Sequence, residues 1–270
     1  MKHHIIQPAP DLRDYVKYFW VLEDNRGQAT SRRFQTIADG SPGMIFHESE
    51  NGSLYQFEKQ LPSTFLYGQT TSATEIKSPP AFRAIGIYLY PHALKTIFGL
   101  PASELTNTCV DVTMLNSDSK YLTERLIETN SMQDKISVLS TFLKQQIACN
   151  SATSDVDVML ALSIIYREKG AISLCILQEK TGLSERALER RFQRVIGISP
   201  LQFCRIVRFQ SSLTQLRENG FEKLSDIAYE NQYADQSHFI RSFKEFAGDS
   251  PFRFQKKSSE LVENFPEIIG

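Results

Sequence analysis

Arg190 and Arg241 stand 51 residues apart, and their surroundings repeat at the same separation: Phe192 with Phe243, Gly197 with Gly248, Ser199 with Ser250, Pro200 with Pro251 and Phe203 with Phe254. A guanidinium offers a planar fork of donors that fits the O6/N7 edge of guanine or a pair of phosphate oxygens. A repeated unit that shows this group twice suits a partner that is itself periodic, and duplex DNA is the obvious candidate.

The elements that must hold these arginines are two short helix pairs. In the first copy SLCILQEK forms a short helix with Leu174 and Leu177 inward, followed by a turn at Thr181-Gly182-Leu183. Ser184 then caps a second helix. On it Leu188, Phe192 and Val195 make one apolar stripe, so the opposite face carries Arg186, Glu189, Arg190 and Gln193. The second copy places Leu224, Ile227 and Ala228 on its first helix, turns near Gln232-Tyr233-Ala234 and caps with Asp235. Its stripe is Phe239, Phe243 and Phe246, and its outer face presents Ser237, Arg241 and Lys244, with Gln236 near the helix start and His238 on the flank. These side chains can hydrogen-bond base edges or phosphates.

A short helix, a tight turn and a second helix with a polar, basic outer face is the helix-turn-helix layout, in which the second helix enters the major groove. One such face alone would read as solvated surface, because exposed Arg and Lys are common. The same outward arginine in both copies shifts the balance toward DNA contact. Between the copies, PLQFCRIVRFQSSLTQLREN forms one long helix, with Phe203, Ile206, Val207, Leu213 and Leu216 apolar and Arg205, Arg208 and Arg217 polar. If this stiff connector sets the two outer helices about one DNA turn apart, roughly 34 Å, both reach adjacent major grooves on one face of a duplex.

The whole chain has 270 residues, 41% of them hydrophobic, and a net charge of −1. That is enough for two domains with a proper core. The neutral total hides an asymmetry: residues 171–259 hold 14 Lys and Arg against 10 Asp and Glu. A basic segment beside an acidic one suits a nucleic-acid module joined to a different domain. No apolar run reaches about 18 residues, and the N-terminus has Pro and acids where a signal peptide needs an apolar core, so the expectation is a cytoplasmic protein with no membrane partner. Cys109, Cys149, Cys175 and Cys204 are widely spaced with no C-x-x-C, which suits reduced thiols.

From about residue 7 to 108 the pattern is strand-like, with short aromatic and β-branched runs punctuated by Gly and Pro. In FRAIGIYLYP, Ile85, Ile87 and Leu89 alternate with Gly86, Tyr88 and Tyr90, which sends the two sets to opposite faces of a sheet. Trp20, Tyr67, Tyr88 and Tyr90 are expected to fill a core more than to line a pocket. Helical spacing then takes over at Leu122, Leu126, Ile136, Leu139, Leu143 and Ile147, with Ser131 and Asp134 as a capping box. A further helix, from about Asp155 to Lys169, stops at Gly170. The predicted class is α+β: an antiparallel β barrel or sandwich with supporting helices over 1–150, an all-α domain of two helix-turn-helix units over 151–260 (units at about 174–195 and 224–247), and a tail at 261–270. The stretch CNSATS, 149–154, is the best boundary.

The motif L-x-x-x-T-G-L-S-x-x-x-L-x-R-x-F-x-x-x-x-G-x-S-P, then I-A-x-x-x-x-Y-x-D-Q-S-H-F-x-R-x-F-K-x-x-x-G-x-S-P, resembles the AraC/XylS family of bacterial transcription regulators over about Ala171 to Lys256. Carried over by position, the family's base-facing sites fall on Arg186, Glu189, Arg190, Gln236, Ser237, His238 and Arg241. Phe19-Trp20, Ala38-Asp39-Gly40 and Y-P-x-A-L-x-x-x-F-G-L-P-x-x-E-L from Tyr90 to Leu105 resemble the sensor part of some members. The resemblance implies a cupin-like barrel with a small-molecule effector, helices that support a homodimer, and RNA polymerase as a partner if the protein activates; it names no effector. Three positions depart from the pattern: Gln178 for a small alanine at a helix contact, Gln232 for a turn glycine, and Phe254-Gln255 for an aromatic followed by Arg.

Two other readings compete. A metal-dependent enzyme in the barrel with an accessory helical domain needs clustered ligands, whereas His3 and His4 are adjacent at the terminus and His47 and His92 are lone. No G-x-S-x-G, P-loop or G-x-G-x-x-G is present. The expectation is therefore no catalytic residue, no cofactor and no metal. An interaction module that has lost DNA contact stays open through Gln178 and Gln232.

Overall fold

Alternation of side chains along single strands organises the N-terminal half. The computed structural model describes residues 2–24, 32–116, 119–150, 154–218 and 221–261. Its strands are β1 (Lys2–Ile6), β2 (Val16–Asp24), β3 (Arg32–Thr36), β4 (Gly43–Glu48), β5 (Tyr55–Gln56), β6 (Lys59–Gln60), β7 (Thr64–Tyr67), β8 (Thr74–Ser78), β9 (Phe82–Leu89) and β10 (Cys109–Asp111). They form a six-stranded sheet, β1-β2-β9-β4-β7-β10, and a four-stranded sheet, β3-β8-β5-β6. Every described pairing is antiparallel. Along β9, Ile85, Ile87 and Leu89 face the helices outside the large sheet, while Ala84 turns to the space between the sheets. Trp20 and Gly86 are register partners across β2 and β9. The indole lies over Gly86, where a Cβ would come within 1.8 Å of the ring.

The helices are α1 (Ala93–Phe98), α2 (Leu122–Glu128), α3 (Met132–Asn150), α4 (Val156–Arg167), α5 (Leu174–Thr181), α6 (Glu185–Ile196), α7 (Pro200–Glu218), α8 (Leu224–Glu230), α9 (Gln236–Ala247) and α10 (Pro251–Leu261). Helices α1 to α3 cover the outer face of the six-stranded sheet, through Leu94, Leu122, Leu126, Leu139 and Leu143 against Val21, Met44, Leu66 and Ile87. Ser131 accepts the Asp134 N–H at 3.3 Å and starts α3. Lys135, 4% exposed, reaches from α3 to Glu48 of β4 at 2.6 Å. Helices α4 to α10 share one further core, and Ile37 and Ala38 from the β-rich half are part of it. Gly170, at φ +74°, ends the turn after α4.

The α+β architecture expected from the sequence is thus the one observed. Of the 149–154 stretch, residues 151–153 lie outside the described residues, and of the 261–270 tail only Leu261 lies within them. One expectation needs correction. Trp20 and Tyr88 are core residues, but Tyr67 is half-buried and Tyr90 is 37% exposed, stacked on His92. Tyr90 lies one residue past β9 and is only partly covered, by His92 and Lys17.

Candidate nucleic-acid interface

Each outer helix begins and ends on chemistry already visible in its sequence. Ser184 Oγ accepts the Ala187 N–H at 3.4 Å to start α6, and Asp235 Oδ1 accepts the His238 N–H at 2.6 Å to start α9. Both stop at a left-handed glycine, Gly197 at φ +102° and Gly248 at φ +76°. Leu188, Phe192 and Val195 are buried under α6, and Phe239, Phe243 and Phe246 under α9. A fully buried Phe contributes about 1.5–3 kcal/mol, so these stripes decide which face points out. The rest follows from rotation about the helix axis.

Most of the residues expected to point outward are exposed, and Glu189 departs from the expectation. Arg186, Arg190, Gln193, Gln236, Ser237, Arg241 and Lys244 are exposed, while Glu189 and His238 are half-buried. Arg186, Arg190, Arg241 and Lys244 form no ion pair among the described residues. His238 is partly used within its own unit: Nδ1 accepts the Ala234 N–H at 3.4 Å, and the ring stands edge-on to Tyr233.

The neighbouring basic residues are internally engaged, and this sorting is absent from the sequence pattern. Arg191 binds Asp155 at 3.3 Å and also Asp157, while Arg194 reaches Asp155 at 3.4 Å. Asp155 also caps α4, accepting the Val158 N–H. The helix beginning at about Asp155 was legible; the partners of this carboxylate, 36 and 39 residues away, were not. On the connector, Arg205 pairs with Glu245, Arg208 donates to the carbonyls of Gly170 (3.0 Å) and Gln232 (3.4 Å), and Arg217 lies over Phe254. Arg208 thereby ties the segment before the first unit to the turn of the second. Helix α7 has 19 residues, which at 1.5 Å each is about 28 Å.

Between the two sheets lies a cavity of about 70 Å³. Ile37, Ile45, Leu61, Phe65 and Ile76 make it mainly apolar, and Asp39 and Tyr67 add polar groups. Asp39 accepts the Tyr88 hydroxyl and, at 2.8 Å, the Ser41 N–H. Lys17 donates to Ser41 Oγ at 2.7 Å. Burial raises the Asp39 carboxyl above its ordinary range, against the pull of Tyr88, Ser41 and Lys17, and burial lowers the Lys17 ammonium. Among the described residues no group of three or more His, Cys, Asp or Glu could hold a metal. Among them, too, no helix is long and apolar enough to cross a membrane.

Residues 177–257 match the family model of a helix-turn-helix domain, and residues 4–111 match a domain of unknown function, DUF6597. An uncharacterized HTH-type transcriptional regulator of Staphylococcus aureus is 28% identical over 93 residues, 34% of this chain and 12% of that protein. Another, from Haemophilus influenzae, is 35% identical over 83 residues, 31% of this chain and 28% of that protein. The chain thus spans only a small part of the length of these curated relatives. The structure of ToxT from Vibrio cholerae aligns with a TM-score of 0.50 at 14% identity, over 88% of this chain and 98% of ToxT, so the two share a fold. The helix-turn-helix match falls on both copies of the unit and the helix that joins them. Over these residues the chain carries the matched helix-turn-helix domain, in line with the resemblance of its motifs to the AraC/XylS pattern.

Within this helix-turn-helix domain, two of the departures from the AraC/XylS pattern have a defined place. Gln178 is half-buried, and its carbonyl, like that of Leu177, accepts the Thr181 hydroxyl. Gln232 does adopt the left-handed conformation, at φ +54°. Arg208 holds its carbonyl, and the Tyr233 N–H donates to Ala228 at 2.9 Å, so the tight turn closes without glycine.

Proposed function

We propose that this chain is a sequence-specific DNA-binding transcription regulator whose β-rich part adjusts DNA binding in response to a small molecule. One observation carries the reading: two equivalent helices, each standing on a buried stripe, present Arg190 and Arg241 outward while adjacent arginines are engaged within the fold. Arg186, Glu189, Arg190 and Gln193 would face one major groove, and Gln236, Ser237, His238, Arg241 and Lys244 the next. In this reading 1–150 is the sensor and 151–260 the DNA-binding domain. The apolar cavity between the sheets is the place for the effector. The proposal includes a homodimer through α2 and the residue before it, where Ile127 and Tyr121 are exposed, and contact with RNA polymerase if the protein activates. No catalytic step is part of it.

The test is selection of bound duplexes from a random pool. The expected product is a bipartite site with half-sites about one turn, 10–10.5 base pairs, apart. Affinity should fall steeply with salt as phosphate contacts release counterions. Retention of the pool without sequence preference would overturn the reading.

A further inference from the structure

One position of the repeat carries opposite charges in its two copies, and both are held in the same way. Arg194 on α6 and Glu245 on α9 stand 51 residues apart, the separation of the repeat itself. Each lies one turn beyond the outward arginine of its helix, Arg190 or Arg241, and so on the flank of the same face. Each is ion-paired to the helix that leads into its unit: Arg194 to Asp155, which caps α4, at 3.4 Å, and Glu245 to Arg205 on α7. Helix α4 packs on α5 and α6, and α7 on α8 and α9. The two pairs are therefore equivalent in place and reversed in polarity.

The partners on the leading helices are themselves fixed. Asp155 is only 12% exposed, accepts the Val158 N–H and also takes Arg191, which Asp157 shares. The Arg205 guanidinium donates to Gln202 at 3.0 Å and lies 5.2 Å from the ring centroid of the buried Phe246. Arg194 and Glu245, by contrast, are 58% and 42% exposed. Pairs this open to water stabilise a fold little. Their place beside the outward face gives them another consequence. Phosphates line both edges of a major groove, so a charge on the flank of a helix in that groove meets them whatever the base sequence. An arginine that already has a carboxylate gains little by exchanging it for a phosphate, and a glutamate that already has a guanidinium repels phosphate less.

We propose that Asp155 and Arg205 are positioning residues for DNA recognition: each holds and neutralises the flanking charge of one outer helix, and together they set the sequence-independent share of the affinity. This rests on the DNA-binding reading above. The two act with opposite sign. Without the Asp155 carboxylate, Arg194 adds a phosphate contact to any duplex; without the Arg205 guanidinium, Glu245 opposes one.

Full-length wild type, Asp155→Asn and Arg205→Gln are titrated with the duplex selected from the random pool and with an unrelated duplex, between about 50 and 200 mM salt. Asparagine keeps the cap, and Asp157 keeps Arg191, so Arg194 is the side chain released. Asp155→Asn should bind both duplexes more tightly at low salt and lose roughly threefold more of its affinity than wild type across this range, the share of one phosphate contact. Arg205→Gln should bind both roughly threefold more weakly. The ratio between the two duplexes should stay within about twofold of wild type, because phosphate contacts act alike on all sequences. An Arg194→Ala background should abolish the first effect, and a Glu245→Gln background the second. Asp155→Ser, which also supplies a cap, and Arg205→Met take the place of a variant that does not fold. Weaker binding in both variants, as a merely structural role would give, or no change in either, overturns the proposal. Effects of undiminished size in the Arg194→Ala and Glu245→Gln backgrounds would report net charge alone and overturn it too, with DNA binding left standing. A wild type without sequence preference overturns the DNA-binding reading, and this proposal with it.

Discussion

Arg208 and Gln232 form a bracket at the second turn: the guanidinium on the connector helix donates to the carbonyl of a non-glycine residue held at φ +54°. A left-handed conformation costs a non-glycine residue roughly 1–2 kcal/mol. Glycine would avoid that cost but lose more freedom on folding, by about 0.5–1 kcal/mol. Gln232→Gly should therefore stabilise the helical domain by about 0.5–1 kcal/mol and raise its melting midpoint by roughly 1–3 °C. Thermal unfolding checks the shift; a lower midpoint would mean that the Gln232 side chain contributes more than its backbone costs.

Arg190→Ala and Arg241→Ala should each weaken binding to a selected duplex by about 1–3 kcal/mol if each contacts a guanine. Among the described residues neither is ion-paired, and both are exposed, so thermal unfolding should stay within about 0.5 kcal/mol of wild type. Arg194→Ala makes the comparison, because Arg194 is engaged with Asp155. Titration against duplexes with single base changes should show relaxed preference at one half-site for each of the first two substitutions and at neither for the third.

Gly86→Ala tests the packing of the indole on the sheet. The added methyl would fall within 1.8 Å of the Trp20 ring, and overpacking of this kind costs about 1–3 kcal/mol or more. The variant should lower the urea midpoint of the β-rich half and alter Trp20 fluorescence, which is readily assigned because the chain has one tryptophan. A wild-type midpoint and spectrum would show that the ring can move aside freely.

His47 sets a pH dependence. Burial lowers its imidazole below the ordinary 6.5, against hydrogen bonds to the Pro62 and Leu61 carbonyls that raise it. The folded state therefore takes up this proton at lower pH than the unfolded chain does. The contribution is fully present above the unfolded pKa and is lost as pH falls through the folded one. Urea midpoints at pH 8, 6.5 and 5 should fall across the series in wild type and fall less in His47→Gln. Parallel curves would assign the acid sensitivity elsewhere, for instance to His3 or His92, which burial also lowers.

Much of the site was legible in the chain because its determinants are local. The caps Ser184 and Asp235, the stops at Gly197 and Gly248, and the stripes through Phe192 and Phe243 all lie within a few residues of the arginines they orient. Helical rotation then determines which side chains point out. The alternation along β9 worked in the same way for the sheet. Tyr90 escaped it, since whether the last residue of an alternating run is covered depends on a layer formed elsewhere.

By itself, then, the sequence determined two equivalent helix-turn-helix units on a stiff connector, their outward residues, and a β-rich partner domain. Only the tertiary structure decided which basic residues are left unengaged. Asp155, Asp157 and Glu245 claim Arg191, Arg194 and Arg205 across 34 to 40 residues of chain. Only it joined Gln35 to Ala247 across 212 residues, and Thr106 to Gly197 across 91. Periodicity describes one element about its own axis. Ion pairs and hydrogen bonds between loops depend on how separate elements are placed against each other, and that placement is set by burial of the two cores.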